Sequence, residues 1–441
     1  MLETVNRYLS GMATPLLLMG SGLFLLLYLR GRPLLTPRRA FAAWRGNRGE
    51  GRRESVRAVC LALAGTLGVG NLAGVAGAIA MGGAGAVFWM WVSALLAMIL
   101  KYAEIVLAMR HRRLDASGKC HGSAMDYIRD CLNERGLRFL GKIVSSLFAL
   151  LFLGTALSMG SGLQANAVAH TLSGVFGLSP LWVGLCLGGG LLWVLSRGRE
   201  GVLGVCARLV PFMTVLYVIL SVAVLVLRAE RIPQAFADIL GDAFSLEATA
   251  GGVGGFFLSR RVRFGVMRGL ISNEAGCGTA PTAHTVADGI SPAGQGVMGM
   301  IEVFVDTLLL CTLTALVILI GDGAAESGSY MMLTLSAFTS VLGAYATYPL
   351  AAAVVCFGFA TLVCWAHYGA ESVRFLSKAP RFRRLFYIAF AGAVVFGSVS
   401  DSEILWQWSD LAMGAMTLIN LLALIAMRRE IREETEKIGK G

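Results

Sequence analysis

An all-α, polytopic membrane protein of about 11 transmembrane helices is the fold class that three features of this sequence predict. Of 441 residues, 56% are hydrophobic and only 15% charged, against roughly 25% charged in a soluble domain. The apolar residues gather in repeated runs near the ~20 residues that a bilayer-spanning helix needs. The 55 glycines exceed the usual ~7%, as expected where helices pack closely in lipid.

In order, the runs are 12–30, 57–80, 84–109, 142–172, 180–196, 202–228, 236–259, 296–321, 333–366, 384–399 and 403–427. The first has no basic region before it and no small-residue cleavage site after it, so it reads as a spanning helix, not a signal peptide. The second contains Gly65-Thr66-Leu67-Gly68-Val69-Gly70-Asn71. Three glycines and an Asn weaken the helix at mid-membrane depth, where freed backbone is tolerated only if protein buries it or if it lines a polar cavity. Either a Gly-xxx-Gly packing seam or a binding break fits this run alone. The seventh run is interrupted by Asp238, Asp242 and Glu247 and carries Gly251-Gly252-Val253-Gly254-Gly255. The ninth is overlong, with a break at Tyr348-Pro349, and is expected to begin outside the membrane.

Positive charges set the expected orientation. The connection 30–57 holds nine arginines against two acids and belongs in the cytoplasm. Alternation then puts 110–142, 197–200, 260–268, 374–384 and the 428–440 tail on the same side, with the N-terminus outside and the C-terminus inside. The outer connections 82–85, 174–179, 322–327 and 401–403 are uncharged or acidic; only Arg228 and Arg231 depart from the pattern. The net charge of +11 is a topology signal and implies no nucleic-acid partner. The nine cysteines lie mostly in apolar runs without metal-ligand spacing, and they read as small packing residues.

One helix followed by ten suggests two fives. The expected units are 1–56 (extra helix and basic loop), 57–228 and 236–427 as inverted repeats, and 428–441 as a charged tail. Each half then opens with a glycine-interrupted helix, at 65–71 and 251–255. Paired discontinuous helices are the sequence pointer to a transporter's central site.

Polar residues inside the runs are the chemical candidates. Gln164 and Asn166 are carboxamides in an apolar helix and need partners. Thr361 and Trp365 lie one helical turn apart; a back-bonded hydroxyl and an interface anchor are the plain readings of those two. Lys101 and Glu104 are spaced to pair, and snorkelling accounts for Lys101. Glu302 lies near a helix end, within reach of solvent. Asp306 is deeper, and either acid is a candidate for a coupling proton or a cation. The segment 268–281 reads as a non-spanning cytoplasmic loop that caps a helix at an inner gate, and no phosphate-binding glycine pattern is present.

Several motifs together resemble the sodium:alanine symporter family (alanine or glycine:cation symporters). They are Ala62-Leu63-Ala64-Gly65-Thr66-Leu67-Gly68-Val69-Gly70-Asn71-Leu72-Ala73-Gly74-Val75-Ala76, then Gly85-Ala86-Val87-Phe88-Trp89-Met90-Trp91 with Lys101-Tyr102-Ala103-Glu104. Further on come Arg268-Gly269-Leu270-Ile271-Ser272-Asn273-Glu274-Ala275-Gly276, Ala280-Pro281-Thr282-Ala283-His284 and Phe304-Val305-Asp306-Thr307 with Cys311-Thr312-Leu313-Thr314-Ala315-Leu316. The resemblance implies a five-plus-five inverted-repeat transporter core behind one extra helix. It implies a carrier in a bacterial or archaeal inner membrane that moves alanine, glycine or a similar small neutral amino acid with sodium, in contact with lipid. No organic cofactor or obligate protein partner is expected. Carried over by motif, Thr66, Gly68, Gly70, Asn71, Gln164 and Trp365 surround the substrate. Carbonyls at Ala64, Gly65 and Leu67 with the Thr361 hydroxyl form part of a sodium cage.

The chain departs from the family at Phe359-Ala360-Thr361-Leu362-Val363-Cys364-Trp365, where the usual motif is Phe-Ser-Thr-Ile-Leu-Gly-Trp. Ala360 removes a hydroxyl that would resemble a sodium ligand. The Gly-Gly-Pro-Met-Tyr-Tyr segment is represented only by Gly122-Ser123-Ala124-Met125-Asp126-Tyr127. Rival readings are a proton-coupled or glutamine-type carrier, a sensor or a channel. A membrane enzyme is disfavoured, because only Glu302 and Asp306 suggest converging catalytic groups.

Overall fold

The computed structural model describes residues 13–35, 50–114, 118, 120–244, 260–322, 330–400 and 402–437. Nearly all of them are helical. The helices are α1 (Thr14–Tyr28), α2 (Glu50–Thr66), α3 (Ala73–Gly82), α4 (Gly85–Arg110), α5 (Ala124–Glu134), α6 (Arg138–Leu157), α7 (Gln164–Phe176), α8 (Pro180–Ser196), α9 (Gly198–Leu227) and α10 (Ile232–Ala243). They continue as α11 (Arg260–Asn273), α12 (Ala280–His284), α13 (Pro292–Val303), α14 (Thr312–Ile320), α15 (Tyr330–Leu342), α16 (Thr347–Leu376), α17 (Pro380–Val399), α18 (Ser402–Ala426) and α19 (Arg428–Lys437). A two-stranded ribbon pairs Arg113–Leu114 with Cys120–His121.

Among the described residues, seven helices are long and apolar enough to cross a membrane, or eight if the bent pair α2 and α3 counts as one span. Thr14–Tyr28, Pro180–Ser196 and Tyr330–Leu342 are shorter apolar helices. The expected runs fall mostly in described helices, although 57–80 divides between α2 and α3 and 333–366 between α15 and α16; the exception is 236–259. In that run, 236–243 falls in α10, whose buried residues are Ala235, Ile239 and Ala243. This four-residue spacing buries one stripe only, so α10 lies along α4 as an amphipathic helix. Residues 245–259, including the glycines at 251–255, lie outside the described residues.

The ninth run divides at Gly343, whose φ of 82° suits a residue without a Cβ. Pro349 sits in the first turn of α16, where its missing N–H costs no helical bond. The break therefore falls earlier than Tyr348-Pro349, and α15 is separate from the long α16.

Burial sorts the helices. α4 and α16 are buried along most of their length, and α4 packs on α11, α13, α1 and α10. α8, α9 and α17 are peripheral: Trp182, Trp193, Phe212, Val215, Ile219, Leu385, Ile388 and Phe396 are exposed. An apolar rim of this kind suits lipid rather than water.

The segment 268–281 differs from its expected form. Residues 268–273 complete α11, which packs on α3 and α4. Val262, Gly265, Val266, Gly269 and Leu270 are buried on one face. A Cβ on Gly265 would lie 2.4 Å from the Ala86 carbonyl, and one on Gly269 would lie 2.6 Å from Ser93 Oγ. Small residues four apart thus let two backbones approach. The arginines are absorbed locally: Arg261 pairs with Asp242 at 2.8 Å, and Arg268 stacks over Trp406 at 4.5 Å.

Candidate functional site

α2 stops at Thr66, a 3₁₀ turn spans Val69–Asn71, and α3 resumes at Ala73. The two helices are bent by 60°. Gly68 is extended, with φ −111° and ψ −159°, which leaves its neighbours without the regular helical ladder. A Cβ on Gly68 would lie 2.9 Å from both Gln164 Oε1 and Thr361 Oγ1. Glycine is required by that close approach. Val69 N–H donates to Gln164 Oε1 at 3.1 Å, and Gln164 Nε2 donates to the Met159 carbonyl at 3.3 Å. Thr361 Oγ1 lies 2.8 Å from the Ala64 carbonyl and 2.9 Å from that of Phe357. Gly65 fits against Cys364 and Tyr368, and Leu67 is buried in the same turn.

Ala64, Gly65, Gly68, Gln164 and Thr361 are therefore brought together. Trp365 follows one turn after Thr361, fully buried. A Cβ on Gly160 would lie 2.5 Å from Trp365 Cβ, so the indole seats on a bare backbone. Phe152 and Tyr368 flank the ring at 5.8 and 5.5 Å between centroids. Three expected residues point elsewhere. Thr66 Oγ1 donates to Ala62 in its own helix at 3.4 Å, and Gly70 lies beside Ser272. Asn71 Nδ2 donates to Asp306 Oδ1 at 2.6 Å. Asn166 donates to the Gly397 and Ser400 carbonyls at 3.1 and 2.8 Å, a packing contact with the end of α17.

The second described break is 274–279, between α11 and α12. Glu274 has φ 52°, and Gly276 and Gly278 have φ 83° and 82°. A left-handed glutamate is uncommon and costs energy. It is held here because residues 269–287 are all buried and their freed backbone groups have dedicated partners. Glu104 Oε2 accepts from Gly278 N–H at 3.0 Å and from Asn420 Nδ2 at 3.0 Å. Asn420 Nδ2 also reaches the Gly276 carbonyl at 2.9 Å, and the Tyr127 hydroxyl donates to Asn420 Oδ1. Thr279 Oγ1 donates to Glu274 Oε2 at 2.7 Å.

A buried polar chain secures α12. Lys101 Nζ meets Glu302 Oε1 at 3.1 Å with both side chains at most 1% exposed. His284 Nε2 bonds Glu302 Oε2 at 3.0 Å, Gln295 Nε2 donates to His284 Nδ1 at 2.8 Å, and Ser55 Oγ donates to Gln295 Oε1 at 2.8 Å. Lys101 therefore neither snorkels nor pairs with Glu104, and Glu302 does not reach solvent. Such a pair is tolerated in the interior only with additional hydrogen bonds, which this chain supplies.

Two π-helical turns face the first break. Ser158–Leu163 precedes Gln164, and Phe304–Cys311 carries Asp306. π turns cluster at functional sites, because they free carbonyls and redirect side chains. The 3₁₀ turn is met by Gln164 on Val69 and by Asp306 on Asn71. Ser272, His284, Gln295 and Asn420 were not singled out by the sequence. Asn420 was visible as a lone amide in an apolar run, while the others are defined by partners distant in the chain.

Known proteins resemble this chain over most of its length. The chain is 33% identical to the sodium/alanine symporter of Methanococcus maripaludis, over 100% of this chain and 97% of that relative. It is 32% identical to a probable sodium/glutamine symporter of Bacillus subtilis, over 85% of this chain and 76% of the relative. Among solved structures it resembles the Eremococcus coleocola manganese transporter, with TM-score 0.52 and 15% identity, covering 84% of this chain and 76% of that one; at that identity the likeness concerns the fold alone. The fold and its relatives define an integral membrane protein of the plasma membrane, a cation-coupled amino-acid transporter. The pattern of the sodium:alanine symporter family matches residues 1–439, and the chain belongs to that family.

Proposed function

We propose that this protein carries out sodium-coupled symport of a small neutral amino acid, alanine or glycine, by alternating access around its two broken helices. The observation that carries the reading is the junction at Gly68. There the freed turn of one helix meets a carboxamide and a hydroxyl from two others, with Val69 N–H on Gln164 at 3.1 Å and Thr361 Oγ1 2.8 Å from the Ala64 carbonyl. A zwitterion needs donors for its carboxylate and acceptors for its ammonium. The amides at 68–70 serve the first, with Val69 N–H exchanging its bond to Gln164 Oε1 for the substrate. Freed carbonyls with the Gln164 oxygen so released serve the second. The carbonyls of Ala64, Gly65 and Leu67 with Thr361 Oγ1 suit a hard monovalent cation.

Trp365, seated on Gly160, closes the site against larger side chains. In this reading Thr66 acts through the helix end, and Asn71 supports the site through Asp306. The inverted repeats expected at 57–228 and 236–427 are read here as α2–α9 and α11–α18, with 274–279 in place of 251–255 as the second break. The N-terminus lies outside and the C-terminal helix in the cytoplasm.

The test is radiolabelled alanine, glycine and glutamine uptake in proteoliposomes with an imposed sodium or proton gradient. Concentrative alanine or glycine uptake driven by sodium is expected, and Gln164→Ala abolishes it while leaving the protein folded in the membrane. Uptake that never exceeds equilibrium would indicate a channel, and none at all a sensor. Wild-type uptake by Gln164→Ala would remove that residue from the site.

A further inference from the structure

We infer that Asp306 is the centre of a second binding site for a sodium-sized monovalent cation, separate from the oxygens around Thr361. The inference rests on the reading of the chain as a cation-coupled carrier.

Asp306 is fully buried, and the hydrogen-bond partners of its carboxylate among the described residues are neutral. Asn71 Nδ2 donates to Oδ1 at 2.6 Å; Ser272 Oγ and Thr307 Oγ1 each donate to Oδ2 at 2.7 Å. Asn273 Nδ2 orients the Thr307 hydroxyl from 3.1 Å. The buried cations nearby are already committed, since Lys101 and His284 both bind Glu302. A carboxylate in the interior without a positive partner is costly. Here the surrounding hydrogen bonds orient it without neutralising it.

A second observation points to a ligand. Asn71 is 1% exposed, and its Oδ1 has no hydrogen-bond partner. The amide cannot turn over to satisfy that oxygen, because Nδ2 is held by Asp306 Oδ1 and lies 3.3 Å from the Asp306 carbonyl. That carbonyl belongs to the π turn Phe304–Cys311, in which the regular bonding pattern is interrupted. The Asp306 carboxylate and carbonyl, Asn71 Oδ1, Ser272 Oγ and Thr307 Oγ1 thus converge from three elements. The named groups are oxygen donors with one formal negative charge, and the Cys311 thiol borders them, 3.2 Å from Ser272 Oγ and 3.5 Å from Asn71 Nδ2. Hard cations select such a set, and the single charge matches a monovalent ion.

The site joins α11, the 3₁₀ turn of the first break and the π turn. A bound cation would therefore tie both broken helices to the element between α13 and α14.

Binding of radioactive sodium to the purified protein, with no amino acid present, tests this independently of the substrate. Asp306→Asn keeps the shape and removes the charge; Thr307→Val keeps the volume and removes one oxygen. Expected is a rise in half-saturating sodium for one component by roughly ten-fold or more in Asp306→Asn, and a smaller rise in Thr307→Val. Thr307→Val also reads the site if Asp306→Asn does not fold. Sodium binding that weakens only in Thr361→Val, or wild-type binding in both Asp306→Asn and Thr307→Val, overturns the inference. So does proton uptake at Asp306 with no bound sodium. Intact sodium binding without sodium-driven uptake would instead count against the amino-acid reading.

Discussion

Ala360 is fully buried one position before Thr361, in the turn of α16 that touches Ala64. Serine there restores one oxygen at the position the family usually fills. Ala360→Ser should lower the sodium concentration for half-maximal transport by roughly three-fold, the effect of one neutral contact of about 0.7 kcal/mol; an unchanged dependence counts against an ion near Thr361. Lys101 offers a sterner residue-scale test. Lys101→Met leaves Glu302 buried with His284 alone, which should cost about 3–5 kcal/mol and lower the melting temperature in detergent. Adding Glu302→Leu should recover part of that loss, because the pair is coupled and the unpaired charge disappears. Additive destabilisation would show that the two side chains do not depend on each other. Gln164 was legible in the sequence because an amide in an apolar run requires a partner. Asn166 was a weaker inference for a geometric reason: residues two apart do not share a helix face, and its amide reaches α17 instead. Lys101 was misread because its partner Glu302 lies 201 positions away, beyond any local pattern.

Single elements explain the rest of the gain and loss in legibility. The break at 65–71 was readable because three glycines and an amide interrupt an otherwise apolar run. The break at 274–279 was not, because four arginines in 260–268 resemble a positively charged loop. Helix α11 instead turns Gly265 and Gly269 toward α4, and its charges meet Asp242 and Trp406. The left-handed Glu274 is equally invisible, since only its buried partners favour that conformation. Gly265→Ala should therefore lower the folded yield although alanine is the better helix former. Its Cβ would lie 2.4 Å from the Ala86 carbonyl, and separating two packed backbones costs about 1–3 kcal/mol. A melting temperature at or above that of the wild type would contradict the contact.

At the scale of the whole molecule, some connections assigned to one side by charge meet one another, but 260–268 does not follow its assignment. A Cβ on Gly82 would lie 3.3 Å from the Arg260 carbonyl, and Asp242 binds both Arg261 and the Gly85 N–H. The start of α11 therefore lies with 82–85, which was expected on the opposite side. Arg57 pairs with Glu200 at 3.0 Å and Arg112 with Asp288 at 3.2 Å, while Arg228 and Arg231 both reach Asp322. The C-terminal helix α19 closes over the end of α4. Ile431 is fully buried, and the Tyr102 and Thr435 hydroxyls share a hydrogen bond of 2.8 Å. His111, just beyond α4, lies 3.2 Å from Asp130 and 2.9 Å from Glu430. Burial disfavours its charge, yet the two carboxylates outweigh that and raise its pKa to about 9. Because the folded value exceeds the ordinary value near 6.5, the contact contributes fully below about pH 6.5. That contribution falls as pH rises through about 9. Hydrogen-exchange protection factors in α19, corrected for the intrinsic rise of exchange with pH, should fall over that interval in the wild type, and His111→Gln should remove the step; a step that persists in the variant assigns it to another group.

The two π turns have a further consequence, one of phase. Each contains one residue more than an α-helical turn would, and every residue advances a helix by about 100°. Side chains before and after Ser158–Leu163, or Phe304–Cys311, are therefore out of step with a single straight pattern of faces. Deleting one residue from either turn would restore the regular helix and swing all later side chains around the axis by that angle. The outer ends of both helices could then pack only on the wrong neighbours. Angular offset, more than composition, lets two ordinary apolar rods aim an amide and a carboxylate at the same three residues between them.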